Sequence, residues 1–377
     1  MTEIYVIRHV QAEGNLYRCM QGHWDGDVTP VGRRQRDALS LRFRDIPVDA
    51  VYSSDLWRAR FTASAITKYH DLPIACDRRL REINVGPWEG VPFANLFWDE
   101  PERIDIFMHD QEHFSMPGAE TFHEVQERTF EALCDIAEQN PGRTVVITSH
   151  GVAIRCMLAA LLGISVNDSE TVPIFYNTGI AHLTYENGRF TVDTINDADH
   201  LPPEMLRRGN ELPALRHVCV DPAEHRALYE RCYADAWLAA HGNLKGFSAE
   251  PYFRSACDHY RRDRESVMLL YEGERFAGLL DLDTGRGEHA NYGWVSLLYL
   301  CPEYRGRGLG VQLLGRAVAK YRGMGRRAIR LHVAEDNAPA LAFYRANAFE
   351  ELSRTAGAQA ELLLMEKSLG RAKNDDV

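Results

Sequence analysis

Apolar residues along this chain follow two alternating patterns. Short, nearly continuous apolar runs read as strands at residues 2–9 (TEIYVIRH), 50–54 (AVYSS) and 143–150 (RTVVITSH). Between and after them, apolar positions recur with a helical period, at 57–70 and 151–164. A further helix opens with Thr29 as N-cap and Pro30 at its first position. A longer one is predicted from about Ala119 to Asn140, with Phe122, Val125, Leu133 and Ile136 near one face. The run at 143–150 is apolar almost throughout, as a strand buried at the centre of a parallel sheet must be. Residues 180–185 and 189–195 read as a hairpin turned by Asn187–Gly188. This alternation predicts an α/β sandwich whose chemistry lies at the C-terminal ends of its strands.

The pattern then lapses. Residues 197–214 carry prolines and charges without periodicity and read as a connection. Beyond it come a strand at 215–220, a helix opened by Asp221–Pro222, and a strand pair at 266–272 and 275–283. A strand at 292–301, a glycine-rich turn, a helix at 309–323 and a strand at 327–334 follow. A short helix around 340–348 and a strand at 361–367 close the series. The expected organisation is a domain over 1–200, a linker over 201–213, a second domain over 214–370, mixed and mostly antiparallel, and a frayed tail at 371–377.

Composition narrows the class. A chain of 377 residues accommodates two ordinary cores, and 45% hydrophobic with 26% charged residues is globular. No apolar run reaches bilayer length, and the opening residues read as a strand rather than an export signal. The expectation is a cytoplasmic protein without a membrane partner. A net charge of −11 argues against nonspecific nucleic-acid binding but leaves room for a local basic pocket. The eight cysteines are scattered and form no CxxC pair, which favours reduced thiols over disulfides or zinc.

The first half brings two histidines and two arginines to one sheet edge: Arg8 and His9 end the first strand, Arg58 follows the second, and His150 ends the third. The segments RHVQAEGN (8–15), QGHWDGDVTPVGRRQ (21–35), SSDLWRARFTA (53–63), LREINVGPWEG (80–90) and SHGV (149–152) resemble the histidine phosphatase (phosphoglycerate mutase-like) superfamily, in the family's order. The resemblance implies a three-layer α/β/α fold and phosphohistidine chemistry that requires no metal. His9 would attack phosphorus, with Arg8, Arg58 and His150 around the equatorial oxygens. Glu82 would protonate the leaving oxygen and then activate water. Asn15 and Gln21 match positions that touch phosphate or substrate, whereas capping alone explains Thr29.

One position departs from the family pattern. Val10 stands where the family carries glycine; Gln11 conforms, and Ala12 replaces a threonine. Valine is costly there if the backbone needs positive φ and fits if it is extended. The short stretch from Glu82 to His150 favours a phosphatase of a small phosphorylated metabolite over a mutase. Its Phe93, Phe97, Trp98, Phe107, Met108 and Phe114 form either a cap over the pocket or core.

In the second half, a strand ending near Leu300 and Cys301 runs into Arg305-Gly306-Arg307-Gly308-Leu309-Gly310 and then a helix. Such a turn lets backbone amides approach an anion. With EDNAPALAFYRANAFEE (335–351), this string resembles the Gcn5-related N-acetyltransferases. The resemblance implies acetyl-CoA as donor, its pyrophosphate on the amides of Arg307 to Gly310, and an amine as acceptor. Asn337 would open a helix beside the cofactor and Tyr344 would protonate the departing thiolate. The strand segment 295–300 (VSLLYL) would splay for the pantetheine arm. The general base stays open among Asp281, Asp283 and Glu288, each also explicable as a surface carboxylate. The whole reads as a bifunctional phosphatase and N-acetyltransferase with independent sites; the alternatives are a mutase, or one catalytic domain beside a ligand-binding module.

Overall fold

The computed structural model describes residues 1–206, 213–357 and 359–370; positions 207–212 of the expected linker and the tail 371–377 lie outside them. The chain divides into two compact units, the change falling near residue 211, with residues 92–95 grouped with the second.

The first unit runs β1 (Thr2–Arg8), α1 (Glu13–Tyr17), α2 (Pro30–Phe43), β2 (Ala50–Ser53), α3 (Trp57–Thr67) and β3 (Ile74–Cys76). It continues with α4 (Phe93–Asp99), α5 (Pro101–His109), α6 (Phe122–Gln139), β4 (Thr144–Ser149), α7 (Gly151–Leu162), β5 (Ile180–Glu186) and β6 (Arg189–Asp197). The sheet order is β3-β2-β4-β1-β5-β6, with β3 to β1 parallel and the β5–β6 hairpin antiparallel. Strand alternation assigns its two faces. Ile4, Val6, Val145 and Ile147 pack against α6 and α7, while Ile7, Val51 and Val146 pack against α2 and α3. Three layers result, as the α/β class requires.

Local chemistry starts these helices. Thr29 accepts from the Gly32 amide ahead of α2, with Pro30 at the first helical position. Thr121 and Glu124 form a capping box at α6. The elements without a sequence signal are short: β3 spans three residues at the sheet edge, and α1 spans five. The segment Pro203–Met205 turns back onto the first unit, where Gln35 Nε2 donates to the Met205 carbonyl at 3.2 Å.

The second unit runs β7 (Arg216–Cys219), α8 (Arg226–His241), α9 (Glu250–Arg262), β8 (Val267–Glu272), β9 (Arg275–Asp283) and β10 (Tyr292–Leu300). Then come α10 (Gly310–Gly323), β11 (Ala328–Ala334), α11 (Ala338–Ala346), β12 (Glu350–Ala356) and β13 (Glu361–Ser368). Its sheet order is β12-β13-β11-β10-β9-β8-β7, antiparallel except for β10 with β11. Asp221 caps a short 3-10 turn, Pro222–His225, and α8 starts only after it, one turn later than the Asp-Pro signal suggests. Neither α9 nor β12 is announced by the sequence: α9 is strongly charged, and every residue of β12 is exposed. Among the described residues no helix is long and apolar enough to cross a membrane.

Replacing the α6 cap tests this account. Thr121→Ala is expected to destabilise the first unit by about 1 kcal/mol, read as a lower urea midpoint at unchanged slope. An unchanged midpoint would show that the box contributes nothing.

Candidate active sites

In the first unit, β1 and β4 pair in parallel with Arg8 opposite Ser149, so the residues that follow, His9 and His150, emerge side by side at the sheet edge. The His9 amide donates to the Ser149 carbonyl at 2.9 Å, and the two imidazoles lie 5.2 Å apart centre to centre. His9 Nδ1 donates to the Val10 carbonyl at 2.6 Å. A carbonyl only accepts, so Nδ1 carries the proton and Nε2 of the neutral ring keeps its lone pair. Burial, then Arg58, then Arg8 hold the His9 imidazole well below its ordinary value, so it stays neutral at pH 7. Burial and Arg58 do the same to His150.

The neighbours are cationic or unsatisfied. Arg58 is fully buried and donates Nη2 to the Gly22 carbonyl at 2.6 Å, with Asp25 3.6 Å away. Arg58 Nε, His150 Nδ1 and both amide atoms of Gln21 are buried without a hydrogen-bond partner among the described residues. Such groups are costly to leave unmet, and their N–H groups are donors that an incoming anion would satisfy. Gln21 reaches this place because Gly14 has no side chain: a Cβ there would stand 2.3 Å from Gln21 Oε1. Arg8 Nη1 donates to the Phe175 carbonyl.

Glu82 sits against the start of α7. Its Oε1 accepts from the Ala153 amide at 2.9 Å and the Ile83 amide at 3.1 Å, while Oε2 accepts from the Val152 amide at 3.2 Å. Arg128 holds the approach to Glu82 by donating to the carbonyls of Arg79, Arg81 and Glu82. Asn15 turns its Oδ1 back to the Ala12 amide at 3.0 Å.

The structure also resolves two alternatives left by the sequence. Val10 is absent from the positive-φ residues and is fully buried with Val28, Trp57 and Phe61, while its amide donates to Thr62 Oγ1. Valine therefore fits without backbone strain. Of the aromatic stretch, Phe107 and Phe114 are core, packed edge-on 5.0 Å apart and against Trp88 and Phe122, whereas Phe97, Trp98 and Met108 are exposed.

Two contributors escaped the sequence reading. Ser54 Oγ hydrogen-bonds His150 Nε2 at 2.8 Å. Asn177 Nδ2 donates to the His9 carbonyl at 2.9 Å and lies 3.4 Å from Asn15 Oδ1. Ser54 ends a run already read as a strand, and its position was the available signal. Asn177 lies in an irregular segment that offers none.

In the second unit, β10 pairs with β11 only from Tyr292 to Trp294 and continues to Leu300 paired with β9 alone. The Trp294 carbonyl takes the Tyr321 hydroxyl at 2.6 Å, and the Ser296 carbonyl takes that of Tyr233 at 3.2 Å. The expected splay is therefore present, and beyond its start the Tyr233 hydroxyl meets a carbonyl that faces no β11 partner. Past Leu300, Gly306 and Gly308 adopt φ of 70° and 77°, and α10 starts at Gly310 with Leu309 as N-cap. Arg305 braces this turn, donating Nε to the Leu300 carbonyl at 2.8 Å and pairing with Asp235; Arg307 is exposed, 3.8 Å from Glu272. Asn337 caps α11 by accepting from the Ala340 amide at 3.2 Å. Tyr344 is buried against Phe343 and Phe349, and burial raises its phenol.

The splay opens into a cavity of about 480 Å³ lined by Leu297, Leu298, Asn337 and Tyr344 on one side and by residues of α8 and α9 on the other. Asp281 and Asp283 line it; Glu288 does not. Asp281 is buried and accepts from Tyr229 and from His259 Nδ1, each at 2.7 Å. His259 Nε2 lies 3.4 Å from Asp283, which also accepts from Arg262 at 2.9 Å. Burial pulls His259 down, but its bonds to Asp281 and Asp283 outweigh that and lift it to about 9; burial pushes Asp283 up, and His259 brings it to about 2. Asp283 is thus a weak base.

These folds define a two-part chain: a three-layer α/β unit with paired histidines at a sheet edge, followed by a mixed sheet with a splayed strand pair. The family model of the histidine phosphatase superfamily (branch 1) matches residues 4–198, and that of the acetyltransferase (GNAT) family matches residues 223–349. The chain belongs to the histidine phosphatase superfamily and carries a GNAT domain after it. It is similar to the probable phosphoglycerate mutase GpmB of Salmonella choleraesuis, 27% identical over 211 residues, which covers 55% of this chain and 98% of the relative. Among solved structures it resembles YhfR of Bacillus stearothermophilus at 31% identity and a TM-score of 0.52, covering 53% of this chain and 99% of that one. A mycobacterial glucosyl-3-phosphoglycerate phosphatase is 27% identical with a TM-score of 0.49, covering 52% and 99%.

The His259 triad carries a pH signature. Its folded value of about 9 stands above the ordinary 6.5, so its stabilisation is complete below pH 6.5 and is lost as pH rises through 9. Thermal unfolding of the full chain between pH 6 and 10 is expected to show this decline, flattened in His259→Gln. An identical decline in the variant would remove His259 as its source.

Proposed function

We propose that the first unit hydrolyses phosphomonoesters of small metabolites through a phosphohistidine, and that the second transfers acetyl from acetyl-CoA to an amine. The observation that carries the first reading is a neutral, buried His9, its Nε2 lone pair free, among buried donors without partners. His9 Nε2 attacks phosphorus as the P–O bond to the leaving group breaks, and Glu82 gives that oxygen a proton. Water then attacks phosphorus as the P–N bond breaks and its electron pair returns to His9 Nε2, while Glu82 takes a proton from that water through Oε2, the less engaged oxygen. Arg8, Arg58, His150 and Gln21 hold the equatorial oxygens, worth most where water is excluded. Asn15 and Asn177 position the His9 segment.

In the second unit the residues fit acetyl-CoA: the splay of β10 from β11 leaves room for an extended arm, and the Gly306–Gly310 turn presents amides at the start of α10. The cofactor supplies, when bound, a thioester carbonyl for the amine to attack, with the C–S bond breaking. The amides of Arg307 to Gly310 seat its pyrophosphate, Arg305 and Gly306 shape the turn, and Leu300 ends the strand that receives the pantetheine arm. Asn337 holds the start of α11, and Tyr344 gives a proton to the departing sulfur. The activities are taken as independent.

A mutase is the second reading, favoured by the name of the curated relatives. Labelled 3-phosphoglycerate separates the two: label recovered as the 2-phospho isomer faster than as free phosphate would reject hydrolysis.

Phosphate release from a panel of phosphomonoesters in EDTA is expected from the wild type and to be abolished in His9→Ala. Release that survives the substitution would exclude His9 as nucleophile. Asn177→Ala is expected to lower kcat/KM roughly fivefold, the order of one lost hydrogen bond of about 1 kcal/mol. An unchanged kcat/KM would make Asn177 incidental.

A further inference from the structure

Resting on the acetyltransferase reading of the second unit, we propose that its cavity seats acceptors of one chemical class. They are small primary amines that carry both an aromatic body and a carboxylate, namely aromatic amino acids and close analogues.

The walls away from Tyr344 are aromatic and fixed. Tyr233 and Tyr252 stack at 4.1 Å and 17°, and Trp237 lies 6.4 Å from Tyr252. The Tyr233 hydroxyl is tied to the Ser296 carbonyl on β10, and Tyr229 to Asp281, so these rings are held by both their faces and their polar tips. Flat, preset rings suit another ring in offset or edge contact, beyond simple burial of area. Phe247 and His241 pack behind Trp237, at 5.4 and 4.6 Å, which stiffens this wall.

Charge decides the rest. Asp281 and Asp283 are both engaged, by Tyr229 and His259 and by His259 and Arg262. Neither is left to grip an ammonium. Arg286, by contrast, lies 3.4 Å over the Trp294 ring, and its guanidinium has no carboxylate partner among the described residues. It is exposed at the cavity lining, where its fork matches a carboxylate. The cavity therefore offers one unspent positive charge and no unspent negative one. A polyamine, whose recognition needs free carboxylates, is disfavoured, and an amine that brings its own anion is favoured. Size agrees: about 480 Å³ must hold the acyl end of the donor as well as the acceptor, toward the lower end of small-molecule sites of about 300–1,000 Å³.

Calorimetric titration of the full chain, with and without CoA, tests this with phenylalanine, tryptophan, phenethylamine, butylamine and spermidine as probes. Phenylalanine and tryptophan are expected to bind at least tenfold tighter than phenethylamine or butylamine. Arg286→Ala, at an exposed position, should cost phenylalanine at least tenfold more affinity than it costs phenethylamine. Spermidine or butylamine binding as tightly as phenylalanine, an equal loss for all probes in Arg286→Ala, or no binding of any probe would overturn the proposal. Its failure is distinct from failure of the acetyltransferase reading, in which acetyl-CoA itself does not bind while phenylalanine still does so through Arg286.

Discussion

Parallel pairing of β1 with β4 is the constraint on which the first site rests. Its register sets Arg8 opposite Ser149 and leaves the next residue of each strand, His9 and His150, to leave the ladder together. A slip of one residue would turn Ile4, Val6, Val145 and Ile147 out of the layer under α6 and α7, so hydrophobic burial itself enforces the register. The spacing of the two histidines is thus a by-product of core packing. Buried Arg58 then acts on both rings at once, and with desolvation it keeps them neutral. A cationic surround and uncharged imidazoles coexist because the arginines cannot give up their protons and the histidines can.

The second unit works by an interruption of the same ladder. Three residues of β10 pair with β11 and the remainder do not. Backbone groups stripped of partners inside a fold must be met elsewhere: Tyr233 takes the Ser296 carbonyl in the stretch unpaired with β11, and Tyr321 takes that of Trp294, the last residue paired with it. Those tyrosines hold the gap open, and the cavity follows from it. The neighbouring Asp281–His259–Asp283 arrangement is fully engaged, so its carboxylates shape the wall and its charge and are poorly placed to serve as free bases.

Much of this was legible in the chain because it is local. Thr29 and Pro30 begin a helix, Asn187 and Gly188 turn a hairpin, and Gly306 and Gly308 take left-handed conformations, all through interactions within a few residues. The runs at 2–9 and 143–150 announced the central strands, since burial on both faces demands apolar residues throughout. The site candidates His9, Arg58, Glu82 and His150 were visible from their places after strands and in the family's motifs.

What the sequence determined by itself was the set of elements with strong periodicity, the caps and turns between them, and the residue types available at strand ends. Tertiary structure alone decided which of these act together. Ser54 reaches His150 across 96 residues and Asn177 reaches His9 across 168, and no local pattern encodes contacts of that span. It alone settled Val10, whose fit depends on a pocket made by Val28, Trp57 and Phe61, and it divided the aromatic stretch between core and surface. It also paired His259 of α9 with two aspartates of β9, on a helix the sequence did not announce. The physical reason is common to all of these: periodicity records whether a residue is buried, whereas its partners are chosen by how the layers pack.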